Sequence, residues 1–120
     1  MTSYVVLLPG DEAAWAAASE QQRQQMYARH GEFAALLAQR GHKVTGGAEL
    51  APSSQATVLR TDADGQHTVT QGPYAESVEQ LTGFYVIDSD DLDDLLEVCQ
   101  VLGQSEGAIE VRACVEGGAA

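Results

Sequence analysis

Five consecutive apolar residues, Tyr4-Val5-Val6-Leu7-Leu8, stand near the start of the chain and end at Pro9-Gly10. A short β-branched run closed by turn residues predicts a buried strand and then a turn. Residues 11–40 lack proline, contain one glycine (Gly31), and are rich in Ala, Gln, Glu and Arg, a helix-forming composition. Asp11 and Glu12 suit a helix N-terminus. Ser19 and Gln22 have capping-box spacing, so a second helix is expected to restart there. Along it Met26, His30, Phe33 and Leu37 recur at spacings of three and four, which makes one apolar stripe. Gly41 supplies the stop.

Residues 43–50 form a weaker strand candidate. Gly46-Gly47 within it signals a bulge or a close approach of backbone. A loop at 51–55 follows. Residues 56–61 and 66–70 alternate around Asp62-Ala63-Asp64-Gly65, the signature of a β-hairpin. Residues 71–82 read as a polar loop and 83–88 as a central strand. Ser89 or Asp90 is expected to cap a last helix whose first turn is crowded by Asp90, Asp91, Asp93 and Asp94, where negative charge is favoured. Leu92, Leu95, Leu96, Cys99 and Leu102 would form its buried face and Gly103 its end. Residues 109–115 make the final strand, and residues 1–2 and 116–120 are expected to fray.

The order β-α(α)-β-β-β-β-α-β places two long helices after strands in equivalent places of two halves, with a hairpin between. That is the pattern of a single α+β domain with a ferredoxin-like antiparallel sheet and helices on one face. The other sheet face needs cover that 120 residues do not supply. A second copy of the chain is the simplest cover, so a homodimer is expected.

At 12.7 kDa the chain is one domain's worth. The net charge of −12 narrows the partners. Residues 1–60 hold five acids and five bases, while residues 61–120 hold thirteen acids and only Arg112. A nucleic-acid binder needs a basic footprint, and none is present. Anionic membrane surfaces are disfavoured for the same reason. No apolar run approaches the roughly 20 residues that span a bilayer, and residues 1–10 carry no signal-peptide pattern. A cytoplasmic protein is expected. Cys99 and Cys114 form no metal-ligand pair, and neither has a strong means of lowering its thiol pKa. Three histidines without close spacing do not suggest a metal site. Phosphate-binding and nucleophile-elbow motifs are lacking, and no cofactor is expected.

The segment Gln71-Gly72-Pro73-Tyr74-Ala75-Glu76-Ser77-Val78-Glu79, followed by Gly83-Phe84-Tyr85, resembles the DGPF-domain group of the YCII-related proteins. That group is named for an Asp-Gly-Pro-Phe motif that runs on as Ala-Glu-Thr-Lys-Glu into a Gly-Gly-Phe-Tyr strand. The strand at 4–8, the run 10–15, Gly46-Gly47-Ala48-Glu49-Leu50 and Ala108-Ile109-Glu110-Val111-Arg112 are similar too, so the resemblance covers about residues 3–115. It implies a ferredoxin-like fold paired into a dimeric α/β barrel, with a pocket near the sheet in each subunit. It assigns no single reaction: related proteins include a dehydrochlorinase, monooxygenases, lyases and cyclases of aromatic or polyketide substrates. The motif's leading Asp is Gln71 here, its Phe is Tyr74, its Thr is Ser77 and its Lys is Val78. The family's helix histidine matches His30, eleven residues before Gly41. Its acidic partner position holds Gln39.

The His30 match and the residues around the glycines and aromatic positions give the candidate site. His30 lies on the apolar stripe and faces the sheet, where an imidazole can shuttle protons near neutral pH. Glu49 and Glu76 are the candidate carboxylate partners. Tyr27, Gln71, Tyr74 and Tyr85 are candidate substrate-binding residues; Gln71 can donate and accept hydrogen bonds where the family has an acid. Trp15 is expected to pack between helices. His42 and His67 are expected to be exposed and structural. Two functions fit: a cofactor-independent enzyme performing lyase, isomerase or cyclase-type proton transfer on a small aromatic or polyketide-like molecule, or a non-catalytic ligand-binding or regulatory module.

Overall fold

The computed structural model describes residues 1–116, apart from the side chains of 104–106, so the expected fray at 117–120 lies outside the described residues. Six strands and three helices follow in the order β1 (Thr2–Asp11), α1 (Glu12–Ala16), α2 (Glu20–Gln39), β2 (Lys43–Glu49), β3 (Thr57–Thr61), β4 (His67–Gln71), β5 (Glu79–Ser89), α3 (Leu92–Glu106) and β6 (Glu110–Ala113). A 3-10 turn at Ser53–Gln55 precedes β3. One antiparallel sheet has the order β2-β5-β1-β6, and β3 and β4 form a separate two-stranded sheet. The α+β ferredoxin-like reading is therefore correct, with the hairpin as an excursion between the two halves.

The core records the period-two and period-3.6 patterns meeting. Val6, Leu8 and Ile87 from the sheet are buried against Phe33 and Leu37 of α2 and Leu95, Val98, Cys99 and Leu102 of α3. Burying each large side chain contributes about 1.5–3 kcal/mol. Val5 pairs with Val86 and Leu7 with Phe84. These four alternate with the core residues, so they face away from the helices, and they are only half-buried.

Caps set the helix starts. Asp11 accepts from the backbone N–H of Ala14, and Ser19 and Gln22 make the full reciprocal capping box. For α3 the cap is Asp91, which accepts from the Asp94 N–H, rather than Ser89 or Asp90. That helix also runs past Gly103 and stops at Gly107, whose φ is +74°. Its buried face uses Val98, while Leu92 and Leu96 remain exposed.

β1 does not end at Pro9-Gly10. Its register with β5 shifts between Leu8 and Pro9, leaving Thr82 as an extra residue whose hydroxyl donates to the Leu8 carbonyl at 2.8 Å. β6 pairs only with Tyr4 to Leu7, so Pro9 sits where β1 has become an edge and its missing N–H costs no ladder bond. Thr2, expected to fray, pairs with Ser89. β5 likewise starts at Glu79, inside the expected loop.

His42 corrects the expectation of an exposed side chain. It is 7% exposed, with Nε2 2.7 Å from Asp94 and Nδ1 2.8 Å from the Ser89 hydroxyl. Arg40 pairs with the same Asp94 at 2.7 Å. His67 is exposed as expected, on the hairpin.

The two thiols differ in a measurable way. Cys99 is buried and burial pushes its pKa up to about 11, whereas Cys114, just past β6, is exposed. Thiolate is the reactive form. A disulfide-exchange reagent at neutral pH should therefore titrate one thiol per native chain quickly and the second only on unfolding. Two fast thiols in the native protein would refute this placement.

Candidate functional site

The N-terminal half of α2 is Gln- and Arg-rich and is mostly exposed, while its C-terminal half carries the buried Phe33 and Leu37. Between that polar half, α1 and the sheet lies a cavity of about 1010 Å³. Arg23, Met26, Tyr27 and His30 line it from α2, at i+3 and i+4 spacings that place them on one stripe. Trp15 closes it from α1, and Tyr85 from β5. Gly47, Ala48 and Glu49 supply the β2 wall.

The glycines of β2 behave as their spacing predicts. The register with β5 shifts between Val44 and Gly46, a bulge. Gly47 then takes φ +147°, and a Cβ there would stand 2.6 Å from the Phe84 carbonyl oxygen. Only glycine lets β2 approach β5 this closely.

His30 Nδ1 and the Tyr85 hydroxyl are 2.7 Å apart. Tyr85 is held between His30 and Phe33, with ring centroids 5.9 and 5.2 Å away. A phenol thus contacts the imidazole. An imidazole and a phenol in hydrogen-bond contact can pass a proton between them. Glu49 stands beside Tyr27, whose hydroxyl is 3.3 Å from each carboxylate oxygen. Partial desolvation first, and the Glu49 charge second, hold the Tyr27 proton on above the ordinary phenol range.

Arg23 and Trp15 were not singled out as a pair by sequence, because what joins them is tertiary. The guanidinium lies over the Trp15 ring, 5.2 Å from its centroid. Its NH2 group donates to the Trp15 and Ala16 carbonyls at 3.2 Å each, closing the end of α1. Trp15 also meets Tyr27 edge to face at 5.8 Å. The i, i+4 spacing of Arg23 and Tyr27 was the available signal that both face the cavity.

Of the seven sequence candidates, the cavity collects His30, Tyr27, Tyr85 and Glu49. Gln71, Tyr74 and Glu76 lie outside its lining, on β4 and the loop after it. Tyr74 is 81% exposed, with Arg60 5.6 Å from its ring centroid. The end of that loop still touches the rim through Glu79, and the segment before β3 does so through Pro52, next to which Glu12 accepts from both the Ser53 N–H and hydroxyl.

Two other places bear chemistry-like arrangements. Asp94, His42 and Ser89 connect carboxylate, imidazole and hydroxyl. But Ser89 is 1% exposed and its oxygen also accepts from the Asp91 N–H. No substrate reaches it, so the arrangement is a clamp joining β2, β5 and α3. A shallower hollow of about 570 Å³, lined by Leu7, Pro9, Leu81 and Glu110 among others, holds neither histidine nor aromatic ring. Among the described residues no group of three His, Cys, Asp or Glu is arranged to hold a metal ion, and no helix is long and apolar enough to cross a membrane.

The YCII-related domain matches residues 2–116. An uncharacterized protein of Rhizobium meliloti, R00369, is 35% identical over 112 residues, covering 91% of this chain and 89% of the relative. These two matches make the chain a member of the YCII-related family.

Proposed function

We propose that the cavity binds a small aromatic or polyketide-like molecule and that His30, coupled to Tyr85, moves a proton on it without a cofactor. The observation that carries this reading is the 2.7 Å imidazole–phenol contact on the wall of a 1010 Å³ cavity. Cavities of this size and aromatic lining hold drug-sized ligands. A proton relay there suits lyase, isomerase or cyclase chemistry, with Tyr27 and Glu49 orienting a polar group of the substrate. Substrate is sought by screening phenolic and polyketide-type compounds against the His30 imidazole proton resonances. With a substrate in hand, His30→Ala is expected to lower kcat about 10²–10⁴-fold, the usual contribution of a general acid–base group, and Tyr85→Phe by less. Full turnover by His30→Ala would overturn the catalytic role.

A ligand-holding or regulatory role without turnover is the second reading. It is favoured by Gln71, Tyr74 and Glu76, the candidates from the motif segment, standing outside the cavity lining. In both readings the protein is a cytoplasmic homodimer. Two chains would pair through the faces bearing Val5, Leu7, Phe84 and Val86 as a dimeric α/β barrel. Sedimentation should then give about twice 12.7 kDa; a single species at 12.7 kDa would remove the dimer.

A further inference from the structure

We infer that the ligand of this cavity is an arylalkylamine bound as its ammonium cation, with the ammonium at Glu49, and that aromatic carboxylates are turned away. This deepens the binding role proposed above and rests on it.

The charge of the lining carries the inference. Asp11, Glu12, Glu49 and Glu79 line the cavity, against Arg23 as its only lysine or arginine among the described residues. Arg23 is already committed. Its NH2 group is spent on two α1 carbonyls, its face on Trp15, and its Nε is sealed from solvent without a hydrogen-bond partner. It is built as a strut, not as a clamp for an incoming carboxylate, which would need a free bidentate edge.

The four acids are not equivalent. Asp11 caps α1 through the Ala14 N–H, Glu12 is engaged by Ser53, and Glu79 is exposed at the start of β5, where it also lines the shallower hollow. Among the described residues Glu49 receives only the Tyr27 hydroxyl, shared at 3.3 Å between both oxygens. A carboxylate offers about four acceptor sites, so Glu49 retains room for an ammonium, which brings three donors and no acceptor. Trp15 and Tyr27, at 87° to each other, add aromatic surface that favours a cation. The ring of the ligand would lie along Tyr85, within reach of the His30 pair.

Three probes that share one phenol ring separate the possibilities: tyramine, tyrosol and 4-hydroxyphenylacetate, which end in an ammonium, a hydroxyl and a carboxylate. Trp15 is the single tryptophan, so its indole N–H resonance reports the cavity without assignment. Tyramine is expected to bind at least tenfold more tightly than 4-hydroxyphenylacetate, with tyrosol between. The spread should narrow at about 1 M salt, where the screening length falls to about 3 Å. Glu49→Gln should bring the tyramine-to-tyrosol ratio close to one. Equal or tighter carboxylate binding, or an amine preference that survives Glu49→Gln, overturns the amine assignment while leaving the cavity a binding site. Failure of all three probes to move the Trp15 signal overturns the binding role itself, and the amine assignment with it.

Discussion

Gly47→Ala is expected to lower the thermal midpoint by about 10 °C or more, while Gly46→Ala one residue earlier changes it little. The two glycines look alike in sequence and differ entirely in surroundings. At Gly47 a Cβ would stand 2.6 Å from the Phe84 carbonyl oxygen and 3.1 Å from the Tyr85 Cα, both backbone atoms that cannot turn aside. Its φ of +147° is also one that side-chain-bearing residues rarely adopt. Backbone strain of this kind costs about 1–3 kcal/mol, and forced separation of strands adds about as much. For a domain of this size each kcal/mol moves the midpoint by roughly 3–6 °C. At Gly46 the nearest atoms are Val86 side-chain carbons at 3.7 and 3.8 Å, ordinary contact distances. Gly47 also abuts the Tyr85 ring, whose Cδ1 would be 3.2 Å from the new methyl. The same substitution should therefore disturb the His30–Tyr85 contact, visible as a shift of the His30 imidazole signals. Differential scanning calorimetry of both variants decides it: equal losses, or none at Gly47, would refute the close approach.

That pair shows what the sequence carried and where it fell short. Gly46-Gly47 announced a bulge or close approach, and both occur, the bulge between Val44 and Gly46 and the close approach at Gly47. Short-range rules also placed the Ser19–Gln22 box and the stripe on α2, because their partners lie within one helical turn. The stripe then put Met26 and His30 into the cavity wall. What stayed hidden depends on contacts across the fold. Nothing local tells that Pro9 sits at an edge, since that follows from β6 stopping opposite Leu7. Nor does spacing reveal that Arg23 folds back over Trp15, or that Tyr85 meets His30 from 55 residues away. The motif segment around Gln71 and Tyr74 was the most recognisable part of the chain, yet the structure leaves it outside the cavity lining. Resemblance of a segment marks membership; only packing says which side chains meet.

His42→Ala should lower the unfolding free energy by about 2–3 kcal/mol, against less than about 0.5 kcal/mol for His67→Ala. Sequence alone ranked these histidines together. His67 is exposed and touches only the Thr61 hydroxyl, 2.8 Å away on the same hairpin, and surface substitutions of this kind are nearly neutral. His42 is buried between Ser89 and Asp94. The Asp94 carboxylate only accepts, so the Nε2 proton points to it, and the Ser89 hydroxyl serves Nδ1. Removing the ring leaves a cavity and strips a partner from two polar groups, at about 1–3 kcal/mol for each buried group left unsatisfied. The loss is held below the cost of a fully broken buried ion pair, about 3–5 kcal/mol, because Asp94 keeps Arg40 and Ser89 keeps the Asp91 N–H. A double-mutant cycle with Asp94→Asn should give a coupling of about 1–2 kcal/mol, within the range for residues in direct contact. Urea midpoints measure all of these, and a His42→Ala variant as stable as the parent would remove the clamp. Because Ser89 and Tyr85 share β5, four residues apart, the clamp also steadies the strand that presents the phenol to His30. Loss of His42 should therefore broaden the His30 imidazole resonances even though the two histidines touch different elements.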